Sequence, residues 1–197
     1  MSLRKTAAAS IGLLAAAVLF AAVGPRRQAG APTDPSSRAE RGRYLVATIG
    51  CADCHASKVP GPDGPEPDMT RFLAGHPENA ALPAPPQLPA GPWLALASED
   101  LTAWSGPWGI SYAMNLTPDE NTGIGSWSED TFVKTLRTGR HMGVSRPILP
   151  PMPWNVYRNL TDEDLRSIFA YLRTIPPVHN RVPEPVAPRH VSTDTGK

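Results

Sequence analysis

The chain has 197 residues, with 19 basic and 18 acidic side chains and a formal net charge of +1. A balance this even, without runs of one sign, excludes a nucleic-acid grip built on phosphate neutralisation and leaves little long-range steering. The 24 prolines stand far above the usual share of about 5%. They exclude a mostly regular structure, so something other than a large core must hold the loops.

The first element is an apolar run, Thr6 to Gly24, preceded by Arg4 and Lys5. Residues 1–24 therefore read as a signal peptide or a membrane anchor. Small-x-small cleavage patterns occur at Ala22-Val23-Gly24 and Ala29-Gly30-Ala31, but a proline follows each, so cleavage and retention both stay open. Residues 25–36 read as a flexible tether.

A helix is expected over Ser36 to Gly50. Ser37 and Glu40 are spaced as a capping box, Tyr44, Leu45, Val46 and Ile49 supply an apolar face, and Gly50 ends it. From Ala56 to Ala113 the prolines and glycines suggest a long ordered loop with one short helix near Ser98 to Trp104. Asn115 to Trp127 is turn chemistry. Asp119 begins a segment resembling a calcium loop, but Ile124 and Asp130 stand where glycine and glutamate are needed, so it reads as a turn. Ser128 to Gly139 is a helix with Ser128 as cap and Phe132, Val133 and Leu136 on its apolar side. Arg140 to Leu160 is a proline-braced loop. Thr161 to Pro177 gives the clearest helix, with Thr161 and Asp164 as capping box and Leu165, Ile168, Phe169 and Leu172 on one face. The polar tail after it carries no helix or strand signal, and no segment shows a convincing alternating β pattern.

The only two cysteines, Cys51 and Cys54, lie in "GCADCHAS" directly before His55. A thioredoxin-like redox pair needs a strand before it, and here a helix precedes. Zinc needs four ligands, and no second cysteine pair or closely spaced histidine pair exists. A Cys51–Cys54 disulfide would close a tiny strained loop. The remaining reading, C-x-x-C-H as a covalent haem c site, uses every residue. Each thiol adds to a porphyrin vinyl group, and His55 falls under the iron as axial ligand. Export agrees with that chemistry, and a large apolar disc would supply the missing core.

A second axial ligand is then needed. Met69, Met114, Met142 and Met152 are the candidates of the mature chain. Met152, in "LPPMPW", is restricted by Pro150, Pro151 and Pro153, and a weak thioether bond needs such a rigid loop. Met142 and His141 lie in the same loop on a softer stretch, and a Met152 that merely fills the core is the plain alternative. Trp93, Trp104, Trp108, Trp127, Trp154 and Tyr157 either line the haem pocket or pack the core.

With "GRYLVATIGCADCH", "NLTPDENTGIGSWSEDTFVKTLRTG", "PPMPW" and "LTDEDLRSIFAYLRTIPPV" in hand, the chain resembles a monohaem class I cytochrome c from roughly Arg41 to Val178. It is similar to the exported bacterial kind found with membrane-bound dehydrogenases and respiratory chains. The resemblance implies an all-α fold of few short helices and long Pro-rich loops wrapped around one covalent haem. It also implies a cytochrome c domain over 37–178 and an extended tail over 179–197. Haem c and iron would be held by Cys51, Cys54, His55 and Met152, the last two ligating the metal. By the same resemblance, the first and last helices cross closely at Gly42 against Tyr171, and a proline carbonyl, of Pro62 or Pro65, accepts the free ring N–H of His55.

The expected function is electron carriage by Fe(III)/Fe(II) cycling on the periplasmic side, with no catalytic residue. The expected partners are a dehydrogenase, a quinol-oxidising complex or a terminal oxidase. A haem sensor or peroxidase-like enzyme would need an open sixth position, and a dihaem peroxidase a second C-x-x-C-H.

Overall fold

The computed structural model describes residues 34–86 and 91–188. The expected signal or anchor, nearly all of the tether, and the tail beyond residue 188 lie outside them. Among the described residues no helix is long and apolar enough to cross a membrane.

The first helix, α1, spans Pro35–Thr48. Its cap is Asp34, whose carboxylate accepts the amide of Ser37. The capping box at Ser37 and Glu40 is therefore corrected: Pro35, with its φ already fixed for the first helical turn, starts the helix earlier. Leu45 and Val46 are buried, whereas Tyr44 is exposed. Gly50 adopts a left-handed conformation at φ 73°, and a new short helix, α2, begins at once as Cys51–His55.

The stretch after α2 departs from expectation. Where a long ordered loop and a short helix near Ser98 were expected, two small antiparallel sheets form. β1 (Lys58–Gly61) pairs with β2 (Gly64–Pro67), and β3 (Leu96–Ala97), β4 (Ala103–Gly106) and β5 (Gly109–Tyr112) make a three-stranded sheet in that order. The fold is therefore not purely all-α. The hairpin turns have the same chemistry, Gly61-Pro62-Asp63-Gly64 and Gly106-Pro107-Trp108-Gly109. Proline pre-sets the turn, and Gly64 and Gly109 take positive φ where L side chains are strained. At Ser98 the hydroxyl bonds the Asp100 carboxylate at 2.6 Å, and Leu101 turns through φ 60°. That local turn diverts Trp104 into β4.

The helical half agrees more closely with expectation. α3 (Glu129–Thr138) is capped by Ser128 and ended by Gly139 at φ 65°. A single-turn helix, α4 (Trp154–Tyr157), interrupts the proline loop. α5 (Asp162–Leu172) is capped by Thr161 and buries Leu165, Ile168, Phe169 and Leu172. The core joins these to Leu45 and Val46 of α1, Phe132 and Leu136 of α3, and Leu73, Ile124 and Ile175 from the loops.

α1 packs on α5 through Gly42. A Cβ built there would lie 1.8 Å from the Ser167 carbonyl oxygen and 2.8 Å from the Tyr171 Cβ. Only hydrogen fits, and the helices approach backbone to backbone. Around that crossing Arg38 faces Glu129 and Glu163, Arg41 bonds Asp164 at 2.9 Å, and Arg166 pairs with Glu129 and Asp130. These pairs are partly open to solvent and add little stability individually.

The described part of the tail is held rather than free. Val186 exchanges backbone hydrogen bonds with Ile110 of β5 at 2.8 and 2.9 Å. Asn180 is fully buried; its side-chain oxygen accepts from Arg71 and from the amide of Glu78, and its amide donates to the carbonyls of Ala74 and His76.

Candidate functional site

One cleft, lined overwhelmingly by apolar groups, lies between the helical core and β5. Cys51, Cys54, His55 and Met152 all line it, from segments a hundred residues apart.

The Cys51–His55 helix places its three chemical groups on one side, because residues three and four apart share a helix face. Lys58 holds its C-terminal end: the ammonium donates to the carbonyls of Ala52, Asp53 and Ala56 at 2.7 to 2.9 Å. These carbonyls have no partner inside so short a helix, and a cation is favoured there. Burial holds the Lys58 ammonium below the usual lysine range, with Asp53 opposing.

Both cysteines are unpaired thiols. Burial pushes Cys51 up to about 12, and raises Cys54 as well. Redox-active C-x-x-C pairs have lowered values. Their environment is thus opposite to that of a thiolate redox pair, and among the described residues no cluster of three metal-binding side chains exists.

His55 is buried, and its Nδ1 lies 2.8 Å from the Met114 carbonyl oxygen. The only ring atom able to donate to that acceptor is Nδ1–H, so the Nε2 lone pair is left free. Burial holds the imidazole below the ordinary histidine value, so it is neutral near pH 7. The expected proline acceptor is thereby corrected. Pro62 and Pro65 belong to the β1–β2 hairpin, while Met114 reaches His55 because β5 runs directly into it.

Met152 is half-buried in the loop between α3 and α4. Three contacts brace that loop. Ser111 Oγ donates to the Pro150 carbonyl at 2.5 Å, Ile148 N–H donates to Gly139 at 2.8 Å, and the amide of Trp154 donates to the Met152 carbonyl at 2.9 Å. Tyr157 closes the ring: its hydroxyl donates to the Ile49 carbonyl at 2.8 Å, tying the loop to the turn before Cys51. Burial pushes the Tyr157 phenol up to about 12, so it stays a donor.

The other candidates divide between the surface and the cleft. Met69 and Met142 are exposed, at 70% and 46%. Met114 lines the cleft, but on the His55 side, where its own carbonyl is engaged. His141 lines the cleft with its ring edge-on to Trp127 at 5.4 Å. Of the aromatics, Trp104, Trp127 and Tyr157 line the cleft; Trp93 is exposed, and Trp154 packs on Gly139. Asp119 accepts the amides of Asn121 and Thr122, the pattern of a turn. Lys58 and the Met114 carbonyl were not foreseen.

These residues fit a haem. Two thiols and an imidazole with a free Nε2 share one side of an apolar cleft that also contains a thioether from a braced loop.

No protein-family model matches the chain. It is 32% identical over 160 residues to the fructose dehydrogenase cytochrome subunit of Gluconobacter japonicus, covering 80% of this chain and 26% of that protein. It is 29% identical over 176 residues to a nicotinate dehydrogenase subunit of Pseudomonas putida, covering 89% and 12%. It is 29% identical over 132 residues to the gluconate 2-dehydrogenase cytochrome c subunit of Pantoea cypripedii, covering 67% and 22%. The chain thus spans about a quarter or less of the length of these relatives. The similarity supports a c-type cytochrome related to subunits of bacterial dehydrogenases, and with it haem c and iron.

Proposed function

We propose that this chain is a single-haem class I cytochrome c that carries electrons for a membrane dehydrogenase on the periplasmic side. The observation that carries the proposal is the convergence of Cys51, Cys54, His55 and Met152 on one apolar cleft. Haem c, when bound, supplies an iron that gains and loses one electron between Fe(III) and Fe(II).

The chain's residues do the rest. Cys51 and Cys54 hold the group by thioether bonds. His55 offers Nε2 to the metal while Met114 fixes the ring orientation and increases the basicity of the imidazole. Met152 would offer a thioether to the same metal, and such ligation would favour Fe(II) and raise the potential. Apolar walls from Ile124, Phe132, Leu136 and Ile168 exclude water and limit reorganisation.

The relatives support a dehydrogenase as electron donor; a quinol-oxidising complex or terminal oxidase is the proposed acceptor. The apolar segment 1–24 would export the chain and, if retained, anchor it. The only C-x-x-C-H in the 197 residues supports one haem per chain of this length.

Haem stoichiometry and redox titration of the exported protein test the reading. One covalent haem per chain and a one-electron transition are expected. Haem that is extractable by acid, or absent, would contradict it. Cys51→Ala with Cys54→Ala should abolish covalent attachment, read as loss of haem stain on a denaturing gel.

A further inference from the structure

His55 is held at both ends by a backbone strip. Gly75 N–H donates to the His55 carbonyl at 2.8 Å, and His76 N–H donates to Ala113 at 2.8 Å. Leu116 N–H donates to Leu73 at 2.9 Å. Residues 73–76 therefore run beside residues 113–116, whose Met114 carbonyl takes the imidazole proton. Gly75 has φ 77° and sits against that carbonyl. A Cβ there would lie 2.4 Å from the Ala113 oxygen, 2.6 Å from the Met114 carbonyl carbon and 2.7 Å from its oxygen. The strip is clamped in turn by buried Asn180, which donates to the carbonyls on both sides of Gly75, those of Ala74 and His76. Asn115, next to Met114, donates to Val178 of the same tail segment at 2.8 Å.

We infer, on the basis that His55 ligates haem iron as proposed above, that Gly75 and Asn180 are positioning residues that set the reduction potential by aiming the Met114 carbonyl at His55 Nδ1. Neither touches the cleft. Gly75 allows the carbonyl to approach, since any side chain would strike the peptide that carries it. Asn180 keeps the strip from receding. A strong bond to Nδ1–H gives the imidazole imidazolate character, which stabilises Fe(III) and lowers the potential; a displaced carbonyl weakens it and raises the potential.

The test uses the holoprotein and two variants, Gly75→Ala and Asn180→Ala, with Leu165→Ala as a control. Leu165 is fully buried in the core and does not line the cleft. Midpoint potential and solvent exchange of the His55 Nδ1 proton in the reduced protein, followed by NMR, are the readouts. Both test variants should keep the haem spectrum, show a higher potential than wild type, and exchange that proton faster. The control should lose stability with neither change. If Gly75→Ala does not accumulate, Asn180→Ala decides alone. An unmoved potential with a protected proton in the variant measured overturns the inference, as does a control that shifts equally. A wild-type protein without haem ligated by His55 is a separate result, which removes the proposed function before any variant is made.

Discussion

At the scale of single residues, His55 shows how much of a proposed ligand's behaviour is fixed by an atom with no sequence signature. The motif names the imidazole, but the acceptor for its Nδ1 proton is a main-chain carbonyl, and every residue carries one. Nothing in the side chain of Met114 announces the role; the run of β5 into residue 114 places it. Lys58 was hidden for a related reason, because a lysine near a helix end is common and only folding shows that it satisfies three carbonyls. Met152 could be singled out because the prolines around it restrict the backbone, and the structure places it on the cleft. Met152→Ala should leave the haem attached but lower its potential, since the thioether that favours Fe(II) is lost, and a spectroelectrochemical titration reads the shift directly. His76 provides a pH signature. It is 1% exposed, its Nδ1 lies 2.7 Å from Thr102 Oγ1, Tyr112 stacks beside it, and Asp100 bonds Thr102. Burial depresses its value below the ordinary histidine value, with Asp100 opposing. The folded state thus binds fewer protons than the unfolded one, so this contribution is fully present above about pH 6.5 and is lost as pH falls towards the folded value. Denaturant midpoints should therefore fall on acidification below about pH 6.5, and fall less steeply in His76→Gln.

At the scale of elements, the three long helices could be read and the strands could not. Ser128 and Thr161 cap α3 and α5 because their hydroxyls accept amides at the third helical position, and the apolar spacing fixes the buried faces. Ser128→Ala should cost about 1 kcal/mol in chemical denaturation. The strands carry no such pattern. They are two to four residues long, too short for alternation, and β1 and β2 hold Pro60, Pro65 and Pro67, which single-sequence reasoning treats as strand breakers. Only the repeated Gly-Pro-x-Gly turns marked them. The α1–α5 crossing was expected from resemblance, and the closeness of its backbones at Gly42 makes it sensitive. Gly42→Ala should destabilise by about 1–3 kcal/mol or more, because both clashing partners are on α5 and one is backbone. Thermal denaturation checks this, and an unchanged midpoint would mean the helices do not pack as described.

At the scale of the whole molecule, a chain rich in proline builds a pocket with two unlike halves. The helical half supplies the apolar floor, and the sheet with the folded-back tail supplies the wall behind His55. The tail's part was not legible, since residues 178–188 act through backbone pairing and through one buried asparagine rather than through any periodic pattern. Ser111 of β5 joins the halves through Pro150, and Tyr157 ties the Met152 loop to Ile49 in the turn before Cys51. The central proposal is that His55 and Met152 would together ligate the iron of a single covalent haem. The most direct measurement is the absorption spectrum of the reduced holoprotein with and without carbon monoxide, repeated for Met152→Ala. The account predicts a low-spin spectrum indifferent to carbon monoxide in the wild type and ready carbon monoxide binding in the variant. A wild-type protein that binds carbon monoxide freely, or a variant that still refuses it, would contradict the account.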